Sequence, residues 1–295
     1  VNPYHLVERP ERDQLGEAPF WDEATQTLYW VDIVGKRAHR FDPSTGEIVR
    51  WTTPRHVSAC IPTTSGDLIA PMVDGVFRLD PKTGETRLFC RPDDDAGNRS
   101  NECRTDARGR LWLGTMCNNL DHDGAALPLD RSSGGVFCIE ADGAFTQMFD
   151  EVGITNTFCW SPDGLRFYTA DSLKGVIWAH DYDPERPTIR NREVFVDDGP
   201  GGPDGSAMDE EGCLWNARWG GGRVIRFTPD GKVDREIMLP VAQPSSCAFG
   251  GPDRKTLFIT SARQELVGLD PGSLDGGLFA VDVDVAGLPM ARFKG

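Results

Sequence analysis

Ser161-Pro-Asp-Gly-Leu-Arg166 runs directly into Phe167-Tyr-Thr-Ala-Asp171, a polar turn followed by an apolar strand. The turn half is read from its residue types. Pro presets φ, Gly accepts positive φ, and Asp hydrogen-bonds the backbone just beyond it. The same pair recurs on either side. Asp209-Glu-Glu-Gly-Cys213 precedes Leu214-Trp-Asn-Ala-Arg218, and Gly251-Pro-Asp-Arg-Lys-Thr256 precedes Leu257-Phe-Ile-Thr-Ser261. Upstream, Asp106-Ala-Arg-Gly-Arg110 leads into Leu111-Trp-Leu-Gly-Thr115, Thr64-Ser-Gly-Asp67 into Leu68-Ile-Ala-Pro-Met72, and Asp22-Glu-Ala-Thr-Gln-Thr27 into Leu28-Tyr-Trp-Val-Asp32. The strand starts, at 28, 68, 111, 167, 214 and 257, are spaced by 40, 43, 56, 47 and 43 residues.

A second set of turns falls between these strands. Phe41-Asp-Pro-Ser-Thr-Gly46 and Leu79-Asp-Pro-Lys-Thr-Gly84 are near copies, and Glu140–Gly143, Tyr182–Pro184, Phe227–Gly231 and Val283–Gly287 occupy the later slots. Each unit therefore holds two turn-linked strand pairs. Six units of four strands predict an all-β fold, a six-bladed β-propeller with four antiparallel strands per blade. A β-sandwich would not repeat six times at this period. The repeat runs through the chain, so residues 1–295 are expected to form a single propeller domain. Closure is expected by pairing the segment near Tyr4–Glu8 with strands near Leu278–Val283, because an open ring would leave strand edges exposed.

Composition agrees. Glycine supplies 33 of 295 residues, above the usual roughly 7%, and 21 prolines add to the turns. The net charge of −15 with no basic stripe predicts no nucleic-acid partner. No apolar run approaches ~20 residues, so no membrane-spanning helix is expected, and Val1–His5 does not read as the start of a secretory signal. The eight cysteines, at 60, 90, 103, 117, 138, 159, 213 and 247, form no CxxC pair. They read as reduced, buried thiols of a cytoplasmic protein.

Counting back ten or eleven residues from each repeated strand start selects Glu17, Ser58, Asn101, Asn156, Asp204 and Ser246. All six are polar. Equivalent positions of successive blades lie on a ring about the propeller axis, so these side chains are expected to face the channel at one level. Four carry oxygen donors and two of those are charged. Carboxylates crowded on an axis repel unless a cation lies between them, although the same residues could instead solvate a water-filled channel or cap turns. The five histidines are scattered, and neither HExxH, GxSxG nor a Walker loop occurs. Gly220–Gly222 follows Trp219 and reads as a bend after a strand.

At these residues the chain resembles the senescence marker protein/gluconolactonase/luciferin-regenerating-enzyme-like family of regucalcins and bacterial sugar lactonases. The resemblance is carried by Leu15-Gly-Glu-Ala-Pro-Phe-Trp21, Tyr29-Trp-Val-Asp-Ile33, Asn98-Arg-Ser-Asn101, Gly109-Arg-Leu-Trp-Leu-Gly-Thr-Met116, Ile154-Thr-Asn156, Trp160-Ser-Pro-Asp-Gly164, Pro203-Asp-Gly205, Gly222-Arg-Val-Ile-Arg226, Ser246-Cys-Ala-Phe-Gly-Gly251 and Gly276-Gly-Leu-Phe-Ala280. It extends from about residue 13 to 285.

The resemblance implies that Glu17, Asn156 and Asp204 bind one divalent metal. It also implies that Arg99 contacts the substrate and that Asn101 holds the substrate or a water on the metal. The family usually has Asp where this chain has Glu102, so a substrate contact there would use a longer arm. The stretch Cys117–Asp130 lengthens the third unit, and the corresponding loop of relatives overhangs the site. The implied reaction is metal-assisted hydrolysis of a sugar lactone to the aldonic acid, with the cation as Lewis acid and Asp204 as candidate base. Oxygen ligands admit Ca²⁺, Zn²⁺, Mn²⁺, Mg²⁺ or Fe²⁺. The rival readings are a phosphotriesterase-like hydrolase and a calcium-binding regulatory protein without catalysis. The expected partner is a small-molecule sugar lactone, with no nucleic acid, no membrane and the oligomeric state left open.

Overall fold

Asp106 and Asp209 show how the repeated turns are built. One carboxylate oxygen of Asp106 accepts the backbone N–H groups of Arg108 and Arg110, at 2.9 and 3.1 Å. Asp209 accepts those of Glu211 and Cys213 in the same way. The second oxygen of each accepts the indole N–H of the Trp on the next strand, Trp112 at 3.3 Å and Trp215 at 2.8 Å. One Asp thus closes the hairpin and satisfies a buried donor. In the other turn set, Asp42 and Asp80 each accept the N–H two residues on at 2.8 Å. The left-handed residues those turns require are supplied by Gly46 and Gly84, with φ of 77° and 76°.

A computed structural model describes residues 4–295. Among them there are six four-stranded antiparallel sheets and no helix. Blade 1 is Gly16–Asp22, Thr27–Asp32, Arg37–Asp42 and Glu47–Thr52; blade 2 is Ile61–Pro62, Leu68–Met72, Gly75–Leu79 and Thr86–Cys90. Blade 3 is Asn98–Thr105, Leu111–Cys117, Gly134–Ile139 and Phe145–Val152; blade 4 is Thr155–Trp160, Arg166–Asp171, Val176–Asp183 and Thr188–Val196. Blade 5 is Gly202–Met208, Leu214–Trp219, Arg223–Phe227 and Val233–Met238. Blade 6 is Gln243–Gly250, Thr256–Ala262 and Phe279–Asp282, completed by His5–Leu6 as its outermost strand. His5 pairs with Ala280 and Leu6 with Phe279, so the ring closes as expected.

The core lies between neighbouring blades. The second strands, whose apolar runs defined the repeat, are buried, with Trp30, Trp112 and Trp215 wholly enclosed. Trp21 of blade 1 stacks on Phe258 of blade 6 at 5.7 Å, Trp112 of blade 3 meets Phe167 of blade 4 at 4.7 Å, and Trp215 of blade 5 meets Phe249 of blade 6 at 5.7 Å. Burying each such ring stabilises the blade contact by roughly 1.5–3 kcal/mol. All eight cysteines are unpaired thiols, and all but Cys90 are buried.

One expectation needs correction. Val283–Gly287 is not a turn into a fourth strand of the last unit, because the N-terminal strand already occupies that edge. The chain instead leaves blade 6 and crosses the end of the propeller opposite the polar ring. Leu288 donates to the Met208 carbonyl of blade 5, Phe293 to Pro62 of blade 2, and Lys294 to Gly109 in blade 3.

Candidate functional site

The ring positions coincide with a repeated defect in the inner strands. Glu17 lies opposite Val31, but Phe20 lies opposite Tyr29, so the register slips by one residue. The same slip separates Ser100 from Cys103, Asn156 from Cys159, Pro203 from Ser206, and Pro244 from Ser246. A β-bulge of this kind bends the strand and re-aims a side chain. Here it occurs where the inner strand must turn a polar group toward the axis. Ala18 and Thr157, which follow Glu17 and Asn156, take φ of 48° and 61°. Gly205 follows Asp204, and a Cβ there would collide with the Ser246 side chain.

The six ring residues divide into two kinds. Ser58 and Ser246 are tied to neighbours: Ser58 Oγ donates to Ser100 Oγ at 2.9 Å, and Ser246 Oγ accepts from Arg104 at 3.4 Å. Glu17, Asn101, Asn156 and Asp204 make the polar centre. Asp204 is 6% exposed and Asn156 5%, while Glu17 and Asn101 are half-buried, open toward the channel. Burial, and then the Glu102 charge, push the Glu17 carboxyl up to about 8. Burial, followed by the charges of Glu17 and Glu102, holds Asp204 well above the ordinary carboxylate range. Asp204 is thus a buried acid beside a second carboxyl, Glu17, that opens toward the channel.

Arg99 is 4% exposed. Burial lowers its pKa to about 10 against the opposing pull of Glu17 and Asp204. Its Nε donates to Asn119 Oδ1 at 3.0 Å, and its Nη1 donates to Asn101 Oδ1 at 2.8 Å and to the Ser100 carbonyl. Its Nη2 has no acceptor among the described residues. Asn119 belongs to the long loop of blade 3, which reaches back over the ring end of the channel. There the Asp121 carbonyl meets His56 at 2.8 Å and the His122 carbonyl accepts from Lys36 at 2.5 Å.

Glu102 is placed differently. Its Oε1 accepts the Cys103 N–H at 2.9 Å and stands 3.7 Å from Arg104 Nε. One of its two oxygens is thus engaged by the protein. Arg104, which the sequence reading did not single out, spans the axis. It donates to Pro19 O of blade 1 at 2.8 Å, Ser206 O of blade 5 at 3.2 Å and Cys247 O of blade 6 at 3.1 Å. Below it lies a cavity of about 370 Å³, lined mainly by apolar groups including Trp160, Met208, Phe249 and Met290. That volume suits a small ligand. On its wall Asp106 and Arg110 are bonded to each other at 2.7 Å, while the Trp160 indole N–H has no partner among the described residues.

Among the described residues no three His, Cys, Asp or Glu side chains form a metal cluster, so a cation set at the ring must count an amide. The donor chemistry fits: two carboxylates and the Asn156 Oδ1 are hard oxygen ligands, and a divalent charge would cancel the two repelling negative ones. Ser172 is a further residue that sequence reasoning missed. Its hydroxyl accepts from Asn156 Nδ2 at 2.9 Å and donates to the Pro203 carbonyl at 2.6 Å. A lone Ser in a hairpin carries no sequence signal for such a contact.

The SMP-30/gluconolactonase/LRE-like region matches residues 15–263. The chain is 35% identical over 287 residues to a 6-deoxy-6-sulfogluconolactonase of Pseudomonas putida, with 95% of each chain covered. It is 35% identical to the regucalcin of Oryctolagus cuniculus, with 97% of each covered. The solved structure of a calcium-binding protein, regucalcin, from Agrobacterium tumefaciens superposes with a TM-score of 0.89 at 30% identity, over 100% of this chain and 99% of that one. With its six closed blades and polar axial ring, the chain belongs to the SMP-30/gluconolactonase/LRE-like family.

Proposed function

We propose that the protein hydrolyses a sugar lactone at the ring end of the channel, with one divalent cation held by Glu17, Asn156 and Asp204. The observation that carries this reading is the pairing of two mutually repelling carboxylates, Glu17 and Asp204, beside a buried guanidinium with an uncommitted Nη2. The relative named as a sulfogluconolactonase supports a gluconolactone-type substrate, and the relative described as calcium-binding supports the cation. When bound, the cation supplies a Lewis acid for the lactone carbonyl and acidifies water.

The chain's own residues do the rest. Arg99 Nη2 donates to substrate hydroxyl oxygens, and Asn101 Oδ1, which already accepts from Arg99, has a second lone pair for a hydroxyl hydrogen. Ionised Asp204 accepts the proton of the attacking water at a carboxylate oxygen. The water oxygen bonds to the carbonyl carbon, the ring C–O bond breaks, and the departing oxygen takes back the proton that Asp204 accepted, which restores the carboxylate. The product is a hydroxy acid, fully ionised at neutral pH with release of one proton. The 118–133 loop screens this step from bulk water through its Asn119 contact to Arg99. Glu102 supports Arg104 through Oε1, which also accepts the Cys103 N–H, and leaves Oε2 for a substrate hydroxyl.

Acid release from aldonolactones, measured with and without chelator and after cation is returned, tests the proposal. Cation-dependent release supports it, and release untouched by chelation contradicts it. Cation uptake without turnover of any lactone or phosphotriester would favour the regulatory reading that the calcium-binding relative suggests.

A further inference from the structure

A directed chain of hydrogen bonds runs around the ring. Arg99 Nη1 donates to Asn101 Oδ1 at 2.8 Å, Asn101 Nδ2 to Asn156 Oδ1 at 3.3 Å, Asn156 Nδ2 to Ser172 Oγ at 2.9 Å, and Ser172 Oγ to the Pro203 carbonyl at 2.6 Å. Its two ends fix its direction. A guanidinium has no acceptor, and a peptide carbonyl has no donor. Every group between must accept on the Arg99 side and donate on the Pro203 side. Reversing one amide would set two donors or two acceptors face to face at both of its contacts.

We propose that Ser172 is a positioning residue for the cation site, the anchor that holds Asn156 with Oδ1 toward the axis and Nδ2 turned away. The inference rests on the reading of Asn156 as a cation ligand, because only the oxygen of an amide can ligate a cation. Ser172 is itself well placed for this task. Its N–H is bonded to the Ile154 carbonyl at 3.0 Å, and the preceding Asp171 carboxylate accepts the N–H groups of Gly153, Ile154 and Leu173. The same hydroxyl grips Pro203, whose next residue is Asp204, so one Ser ties two proposed ligands on different blades. Arg99 anchors the other end, which links the substrate-binding side of the ring to the orientation of the cation ligand.

The test is calorimetric titration of the whole protein with Ca²⁺ and with Mn²⁺, without lactone. It is paired with NMR measurement of hydrogen exchange at the Asn156 side-chain amide. In Ser172→Ala, Nδ2 has lost its acceptor. Cation affinity is expected to fall by roughly the 10–100-fold typical of lost support around a metal ligand, with faster exchange of the amide hydrogens. Ser172→Thr keeps the hydroxyl and should retain both properties. Ser172→Cys, a side chain of similar size and weak hydrogen bonding, serves if the Ala variant folds poorly and should resemble it. Wild-type affinity in both Ser172→Ala and Ser172→Cys overturns the proposal. If the wild-type protein takes up neither cation, the cation reading fails on its own account. Amide exchange then decides the chain: unchanged protection in Ser172→Ala overturns it, and lost protection upholds the anchoring role.

Discussion

Arg104 reaches to within 3.7 Å of Glu102 on the propeller axis, and neither charge has another ion-pair partner among the described residues. The two also join the halves of the molecule, since Arg104 belongs to blade 3 and its donors end on carbonyls of blades 1, 5 and 6. Arg104→Met would strand a buried carboxylate and three carbonyls. Breaking a buried pair from one side is expected to cost about 3–5 kcal/mol, read by urea unfolding. Adding Glu102→Gln should restore part of the loss, and strictly additive costs would show that the two groups do not depend on each other.

The C-terminal crossing should act as a strap. Phe293 is 0% exposed, and Arg292 bonds Asp22 at 2.8 and 2.6 Å. Phe293→Ala is expected to lower stability by about 3–5 kcal/mol with kcat unchanged at temperatures where the variant stays folded. Loss of kcat in a fully folded Phe293→Ala would mean that the strap shapes the ring as well.

Much of this architecture is legible in the sequence because it repeats. The Asp-led turns and apolar second strands recur at one period, and the period alone locates Glu17, Asn101, Asn156 and Asp204 on the axis. What occurs once is not legible. The strap replaces a turn where a repeat was expected, because blade 6 borrows its outer strand from the N-terminus. Arg104 and Ser172 act through contacts with other blades, and no local pattern encodes those partners. Glu102 reads as a substrate contact by resemblance, and only the fold adds that its Oε1 also meets Arg104 and the Cys103 N–H.

His39 lies on Trp30 with ring centroids 4.6 Å apart. Burial, then the charges of Arg9, Arg37 and Arg50, lower its pKa from 6.5 to about 3. A histidine depressed in the folded state supports stability above its unfolded pKa and loses that support as pH falls from about 6.5 toward 3. His39→Phe keeps the stack without the titration. The stability of wild type relative to this variant should therefore decline below about pH 6.5 by up to about 1.4 kcal/mol per pH unit, measured as urea midpoints. A gap that stays constant with pH would contradict the burial of a neutral imidazole.

Arg99→Ala tests the pocket wall. A hydrogen bond from a charged donor contributes about 1.5–3 kcal/mol, so kcat/KM for a polyhydroxylated lactone should fall roughly 10–100-fold. A simple aliphatic lactone, without hydroxyls for Nη2 to reach, should lose much less. Equal losses on both would make Arg99 a support for the amide chain alone.

The central claim is that Asp204 both holds a cation and takes the proton of the attacking water. It is tested most directly by the steady-state rate of acid release from an aldonolactone by Asp204→Asn, at cation concentrations shown to saturate both proteins. Asn keeps the size and one ligand oxygen but removes the charge and the basic lone pair. The account predicts a rate lower by roughly 10²–10⁴-fold with the site full. Recovery of the wild-type rate under saturating cation would contradict it.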